Sequence, residues 1–287
     1  MARELVLYVS GGAMSGVFSM GVLSALEDSR ALARFDALYG ASAGAYNVAC
    51  FAAGDVRAGL RWYYELVRKH SIIRTRNPVR VLSGTYPIDL QEGERVLRTY
   101  PLINFAALRH SRRFVGAKVL SYDTRRIRYL DLRTGDQPRK LAASAALTPF
   151  VEKPVTVEGK VFVDGAIGEI FGLARLRKRH PAAAFVVIAN ARYADAPIRR
   201  ALLHYVTRRL DPALDGLQER AYDAALREMK AMRKADDVLY IEPQSSYPVY
   251  PFTLDQVLLE RGFRAGRHAF VDHLPELRRL FDGKLVR

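Results

Sequence analysis

Short apolar runs alternate with longer amphipathic ones along the first part of the chain. Residues 5–9 (Leu-Val-Leu-Tyr-Val) are apolar without a break, as expected of a strand buried on both faces. A glycine-containing turn at 11–16 follows. A helical pattern then covers 17–28, with Val17, Met20, Leu23, Ser24 and Glu27 at helical spacing. A second short strand is predicted over 35–39, then helices over 45–53 and 56–69. Strand, helix, strand, helix in this order predicts parallel strands with helices on their faces.

Residues 70–110 are less regular. Asn77-Pro78, Ser83-Gly84 and Tyr86-Pro87 mark loops, and a helix is predicted over 90–99. Strands are expected over 113–121 and 126–131, with turns at Asp123-Thr124 and Thr134-Gly135-Asp136. A short helix over 141–146 ends before Pro149. Residues 155–163 read as a hairpin that turns at Glu158-Gly159 and delivers Asp164 to a strand end. Further on come a strand at 185–189, helices over 198–210 and 214–234, and a strand at 238–241. A Pro- and Tyr-rich loop at 245–252 precedes a last helix beginning near Thr253. No repeat, low-complexity tract or linker divides the chain. The expectation is one domain over residues 1–287, α/β in class, with three α/β/α layers and a mainly parallel central sheet. Its candidate chemistry falls within residues 4–190, and 191–287 form a helical part.

Composition sharpens this in two respects. Hydrophobic residues make up 49% of 287, enough for a sizeable core. Lys and Arg number 45 against 30 Asp and Glu, a net charge of +15. Such a field draws nucleic acid or an anionic membrane surface, although an ordinary solvated basic surface has the same composition. No zinc-finger spacing, RNP-type motif or clear recognition helix accompanies the charge, which argues against nucleic acid. No apolar run reaches the roughly 20 residues that span a bilayer. The start of the chain lacks a signal-peptide pattern, and the single Cys50 offers neither an internal disulfide nor a cysteine metal cluster. A cytoplasmic location, with no cofactor and no metal, is expected.

Candidate chemistry sits at the strand ends. Gly40-Ala41-Ser42-Ala43-Gly44 is a G-x-S-x-G pattern between a predicted strand and a predicted helix. A nucleophile elbow needs that context, because a serine on a sharp turn projects above the sheet and glycines relieve the crowding. A small-residue turn that merely lets a helix pack closely would read the same. Ser10-Gly11-Gly12-Ala13-Met14-Ser15-Gly16 opens a helix after the first strand, so its amides point outward at the positive end of a helix dipole. A dinucleotide fingerprint is broken by Ala13, and no ribose-binding acid follows the second strand. An oxyanion hole from the amides of Gly11, Gly12 and Ala13 fits better. Asp164-Gly165-Ala166 places a carboxylate at a strand end beside a glycine. The six histidines, His70, His110, His180, His204, His268 and His273, are not where an α/β-hydrolase triad would put one. A Ser-Asp dyad, in which the carboxylate takes the serine proton, needs none.

Taken in order, these blocks resemble the patatin-like phospholipase family, its bacterial single-domain members above all. The glycine-rich loop at 11–16, G-x-S-x-G at 40–44 and D-G-A at 164–166 carry the resemblance. Residues 142–149 with the strand before Asp164 resemble the family's A-S-x-x-x-P segment, and Met20-Gly21-Val22-Leu23 resembles its helix after the oxyanion loop. The resemblance implies that Ser42 is the nucleophile, Asp164 its base, and Gly11, Gly12 and Ala13 the oxyanion hole. It implies hydrolysis of a phospholipid or other acyl ester through an acyl-enzyme, without metal, at a membrane surface. Two positions depart from the pattern: Ala13 replaces a usual third glycine, and Ser15 a usual Arg or Lys. The departures motivate an alternative, a catalytically silent patatin-fold protein that binds lipid or a protein partner. Three further features have weaker meaning. The basic amphipathic pattern at 198–210 suits a membrane surface or ordinary packing on the sheet. The 247–252 loop suits either the rim of an acyl pocket or a rigid connection, and Cys50 reads as a core residue.

Overall fold

β1 (Leu5–Val9) is buried along its whole length because it has a parallel neighbour on each side. This computed structural model describes residues 3–74, 84–192, 205 and 207–282. The other strands are β2 (Ala37–Ala41), β3 (Phe114–Ser121), β4 (Ile127–Asp131), β5 (Val155–Val157), β6 (Lys160–Asp164), β7 (Ala184–Ile188) and β8 (Val238–Ile241). They form one eight-stranded sheet in the order β5-β6-β3-β2-β1-β7-β8, with β4 also paired to β3. Pairs β1–β2, β1–β7, β2–β3 and β7–β8 are parallel, whereas β3–β4, β3–β6 and β5–β6 are antiparallel. β3 is thus where the sheet changes sense.

Side chains alternate across the strands, as the pleat requires. Leu5, Leu7, Val9, Leu38, Val186 and Ile188 face one core, shared with α1 (Val17–Asp28), α2 (Ala43–Ala53) and the helix Gln256–Asp272. Val6, Tyr8, Tyr39, Phe185 and Val187 face the other, against the helices Leu173–Arg179 and Leu217–Met232. The result is three α/β/α layers. α1 lies directly on Gln256–Asp272: a Cβ on Gly21 would sit 2.1 Å from Phe263 O, and one on Gly266 2.0 Å from Phe18 O.

Several elements differ from the sequence expectation, each for a physical reason. β2 starts at Ala37, two residues late, because Asp36 is spent pairing with Leu5: its amide donates to Leu5 O, and its carboxylate accepts from Leu5 N. The strand consequently runs to Ala41 and leaves Ser42 alone to make the turn into α2. The helical run expected over 56–69 contains a π-helical turn, Trp62–Leu66, between Val56–Arg61 and Val67–Lys69. The helix expected over 141–146 is Gln137–Ser144, started by the Asp136 carboxylate on the Arg139 amide and by Pro138 in its first turn. The last helix begins at Gln256 under an Asp255 cap and gives way to a separate helix, Leu274–Asp282, where Pro275 cannot continue the ladder. The hairpin turns at Glu158-Gly159, both with positive φ (+49° and +75°), the type I′ signature. Most of the helix expected at 198–210 falls outside the described residues.

Candidate active site

Parallel strands leave their C-terminal ends open at one edge of the sheet, where open α/β sheets build sites. β1 and β2 end there at Val9 and Ala41, and the loops that follow meet. Ser42 turns the chain with φ +53° and ψ −127°, outside the regions comfortable for a residue with a side chain. Its neighbours must be bare. A Cβ on Gly40 would lie 2.3 Å from Gly44 O, and one on Gly44 would lie 2.3 Å from Val9 O. Ser42 is the residue before the first turn of α2 yet makes no side-chain cap, so its hydroxyl is not spent on the helix N-terminus. Ser144 holds the turn from below: its hydroxyl accepts from the Ser42 amide (2.9 Å) and donates to Lys118 O (2.7 Å).

Asp164 arrives from the other side of β3. Ala41 pairs with Lys118 on one flank of that strand, and Asp164 pairs with Val119 on the other. The carboxyl is 1% exposed. Its Oδ1 accepts from the Ala166 amide at 2.8 Å, while Oδ2 is buried without a well-formed hydrogen bond. Burial raises its pKa to about 6; the Ala166 amide, the nearby Ser42 hydroxyl and the Lys118 charge each pull it back. Lys118 is itself fully buried and held down to about 8 by that burial. Its Nζ donates to the carbonyls of Ile170 (2.7 Å) and Phe171 (3.2 Å) and sits 4.7 Å from the Tyr8 ring centroid.

The glycine-rich loop closes against Ser42, since a Cβ on Gly11 would stand 3.0 Å from Ser42 Cβ. Gly12 has φ +150° and Ala13 φ +47°. The alanine therefore takes the left-handed conformation that glycine adopts freely, at a cost of about 1–2 kcal/mol. Among the described residues, the amides of Gly11, Gly12 and Ala13 have no hydrogen-bond acceptor. A buried polar network sets the loop. Asn190 donates from its amide to Ser10 Oγ (3.0 Å) and from Nδ2 to Ser10 O (2.6 Å), and it accepts from the Ser19 amide (3.0 Å). Asn47 Nδ2 donates to Gly16 O (2.8 Å) and Ser19 Oγ (2.7 Å), and its Oδ1 accepts from Tyr63 (2.9 Å). From outside, the 247–252 loop clasps it: Met14 N donates to Pro251 O, Ser15 Oγ to Val249 O and the Tyr247 hydroxyl to Ser15 O. Ser15 is 1% exposed, so this clasp fills the place where a basic side chain was expected.

Gly11, Gly12, Ala13, Ser42 and Asp164 all open into one cavity of about 410 Å³. Away from them its walls are mainly apolar, with Trp62, Ile72, Ile88, Leu97, Leu141 and Phe150 prominent beside Asp89, Glu94 and Gln218. Pro251 and Phe252 also line it, which places the end of the 247–252 loop at the cavity. None of its lining residues is a histidine. His180 is held by Glu4 and Tyr39, and His70 by Glu92 and Tyr100, both away from Ser42. Cys50 is fully buried, and burial pushes its thiol far up. Among the described residues, no group of three His, Cys, Asp or Glu side chains is placed to hold a metal, and no helix is long and apolar enough to cross a membrane.

The site residues named from sequence meet at this cavity. Sequence reasoning missed Ser144, Lys118, Asn47 and Asn190. Only Ser144 had a signal, the small-residue segment before Pro149. No curated protein matches the chain significantly. The type III effector protein ExoU superposes at TM-score 0.41 and 13% identity, over 99% of this chain and 54% of its own. VipD from Legionella pneumophila shares the fold at TM-score 0.50 and 13% identity, over 99% of this chain and 67% of its own. The model of the family described as patatin-like phospholipase matches residues 7–174, more than half of the chain. The protein therefore belongs to the patatin-like phospholipase family, a membership that supports lipid acyl hydrolysis as its general activity.

Proposed function

We propose that the protein is a serine lipid acyl hydrolase that works through a Ser42–Asp164 dyad. The observation that carries this reading is the buried Oδ2 of Asp164, without a well-formed hydrogen bond, beside a serine hydroxyl near enough to lower the carboxyl's pKa. A buried polar atom without a partner is costly and usually has a functional reason. Here the carboxylate is a base waiting for a proton. Ser42 Oγ attacks the acyl carbonyl carbon and passes its proton to Asp164. The carbonyl oxygen, now negative, is held by the amides of Gly11, Gly12 and Ala13. As the C–O bond breaks, Asp164 returns the proton to the leaving alcohol and an acyl-Ser42 ester remains. Water then repeats the sequence, with Asp164 as base, to release the fatty acid. The apolar cavity suits the acyl chain, and the net charge of +15 suits approach to an anionic lipid surface.

Ala13 and Ser15 are what favour the silent alternative, yet among the described residues the Ala13 amide has no acceptor in its left-handed conformation, as a working loop needs. A fluorophosphonate probe separates the two readings. Peptide mapping should find the label on Ser42, absent from Ser42→Ala and strongly reduced in Asp164→Asn. Wild-type protein that neither labels nor cleaves short acyl esters, with or without lipid, would favour the silent form. Retention on anionic liposomes should fall as salt rises; salt-insensitive retention would separate the surface approach from the charge.

A further inference from the structure

The helix Leu90–Thr99 carries a glycine, Gly93, in its buried face. A glycine inside a helix is unfavourable relative to alanine, because it loses more backbone freedom on folding. Elsewhere in this protein such residues are explained by a neighbour standing where a side chain would go, as with Gly21, Gly44 and Gly266. At Gly93 no neighbour intrudes. A Cβ there would lie 3.4 Å from Trp62 Cη2 and 3.8 Å from Ile72 Cγ2, both ordinary contacts. Nor does the backbone call for glycine, since Gly93 is not among the residues with positive φ.

What remains is the space itself. Gly93, Trp62 and Ile72 line the same cavity as Ser42. A chain of contacts gives the direction. Tyr46 stands one turn of α2 beyond Ser42, and its ring lies 5.4 Å from that of Trp62. Trp62 opens the π-helical turn, a feature that recurs at functional sites, and its far ring edge faces Gly93. Gly93 thus lies two aromatic side chains away from the nucleophile, on the wall of the same chamber.

Building on the acyl-hydrolase reading of this cavity, we propose that Gly93 is a specificity-determining residue: its bare Cα leaves the chamber beside Trp62 open to a long unbranched acyl chain. A side chain at that position fills this space and restricts the site to shorter chains.

Trp62 is the only tryptophan in the chain, so its fluorescence reports occupancy without requiring turnover. The full-length protein, Gly93→Ala and Gly93→Leu are titrated with hexanoate, decanoate and palmitate, each also in a Ser42→Ala background. Wild type should respond to palmitate. Gly93→Leu should raise half-saturation by palmitate at least about tenfold relative to hexanoate, the scale on which an apolar pocket discriminates size. Gly93→Ala should shift in the same direction by less, with a higher thermal midpoint, and it carries the test if Gly93→Leu fails to fold. The ratio of palmitoyl to butyryl ester hydrolysis should fall in parallel. Binding that shifts this way in a protein that hydrolyses no ester removes the hydrolase and leaves the chain-length gauge standing. Equal weakening of hexanoate and palmitate, no weakening of either, or a wild type whose fluorescence ignores every fatty acid overturns it.

Discussion

Two strand-to-helix turns stand side by side at one edge of the sheet, after β1 and after β2, and they are fixed by different forces. After β2 the chain reverses on Ser42 alone, with φ +53°. Backbone packs against backbone there, so the room beside Gly40 and Gly44 is taken by carbonyl groups that cannot retreat. After β1 the turn is spread over Gly11, Gly12 and Ala13 and is held by side chains: Asn190 and Asn47 from within, the 247–252 loop from outside. The elbow is a steric device that tolerates no added atom. The loop is a hydrogen-bonded device, and it tolerates the methyl of Ala13 because the backbone still presents its amide. A serine that must project needs the first kind of turn. Donors that must wait unpaired for a developing oxyanion need the second.

This contrast can be pressed from either side. The largest effect is expected at the carboxylate facing the elbow. Asp164→Asn keeps the shape but cannot accept the Ser42 proton, so acyl-ester hydrolysis should fall by about 10³-fold or more. The same change should help the fold. Burial lifts Asp164 from 3.8 to about 6, so the folded state binds its proton more tightly than the unfolded chain. The stability that goes with that proton is complete below about pH 4 and lost as pH rises through about 6. Asparagine stays neutral, and denaturation at pH 8 should find Asp164→Asn more stable by about 1–3 kcal/mol. Lower stability at pH 8 would mean that the carboxylate is structural.

Gly44→Ala should come next. Its Cβ would sit 2.3 Å from Val9 O and 2.5 Å from Ser10 O, and unfolding experiments should show a loss of more than about 3 kcal/mol. A mild effect would show that the elbow has slack. Asn190→Ala removes the side-chain partners of Ser10 O and of the Ser19 amide and should cost about 2 kcal/mol. It should also lower kcat in the protein that remains folded, because the loop loses its seat; a fall in stability with kcat intact would confine Asn190 to packing. Ala13→Gly is expected to change stability by less than about 1 kcal/mol, since relief of the left-handed alanine is offset by the freer unfolded chain. It should retain fluorophosphonate labelling.

The steric device was open to sequence reading, and so were Gly11, Gly12 and Ala13; the hydrogen bonds that hold their loop were not. Gly40, Ser42 and Gly44 act within five residues of one another, and Asp164 follows directly on its own hairpin, so each is shown by local pattern. Asn190 and Ser10 are distant in sequence and meet only because β7 lies beside β1. Lys118 is hidden for a like reason: an isolated lysine in an apolar strand shows its role only once the carbonyls of Ile170 and Phe171 are seen to meet it. The π-helical turn at Trp62–Leu66 spans five residues only, too short for apolar spacing to distinguish it from the α-helical turns around it. The shift of β2 from 35–39 to Ala37–Ala41 follows from the pairing of Asp36 with Leu5, a tertiary contact. The apolar chamber draws on segments from Trp62 to Phe150, much of it where the sequence pattern is least regular.

The most direct test of the Ser42–Asp164 pair is the rate of fluorophosphonate labelling at Ser42 as a function of pH. If a carboxylate at about 6 is the base, that rate should rise with pH to a midpoint near 6 and then level off, and the limb should vanish in Asp164→Asn. A rate in wild-type protein that does not change across this range, or a limb that survives in Asp164→Asn, would contradict the dyad.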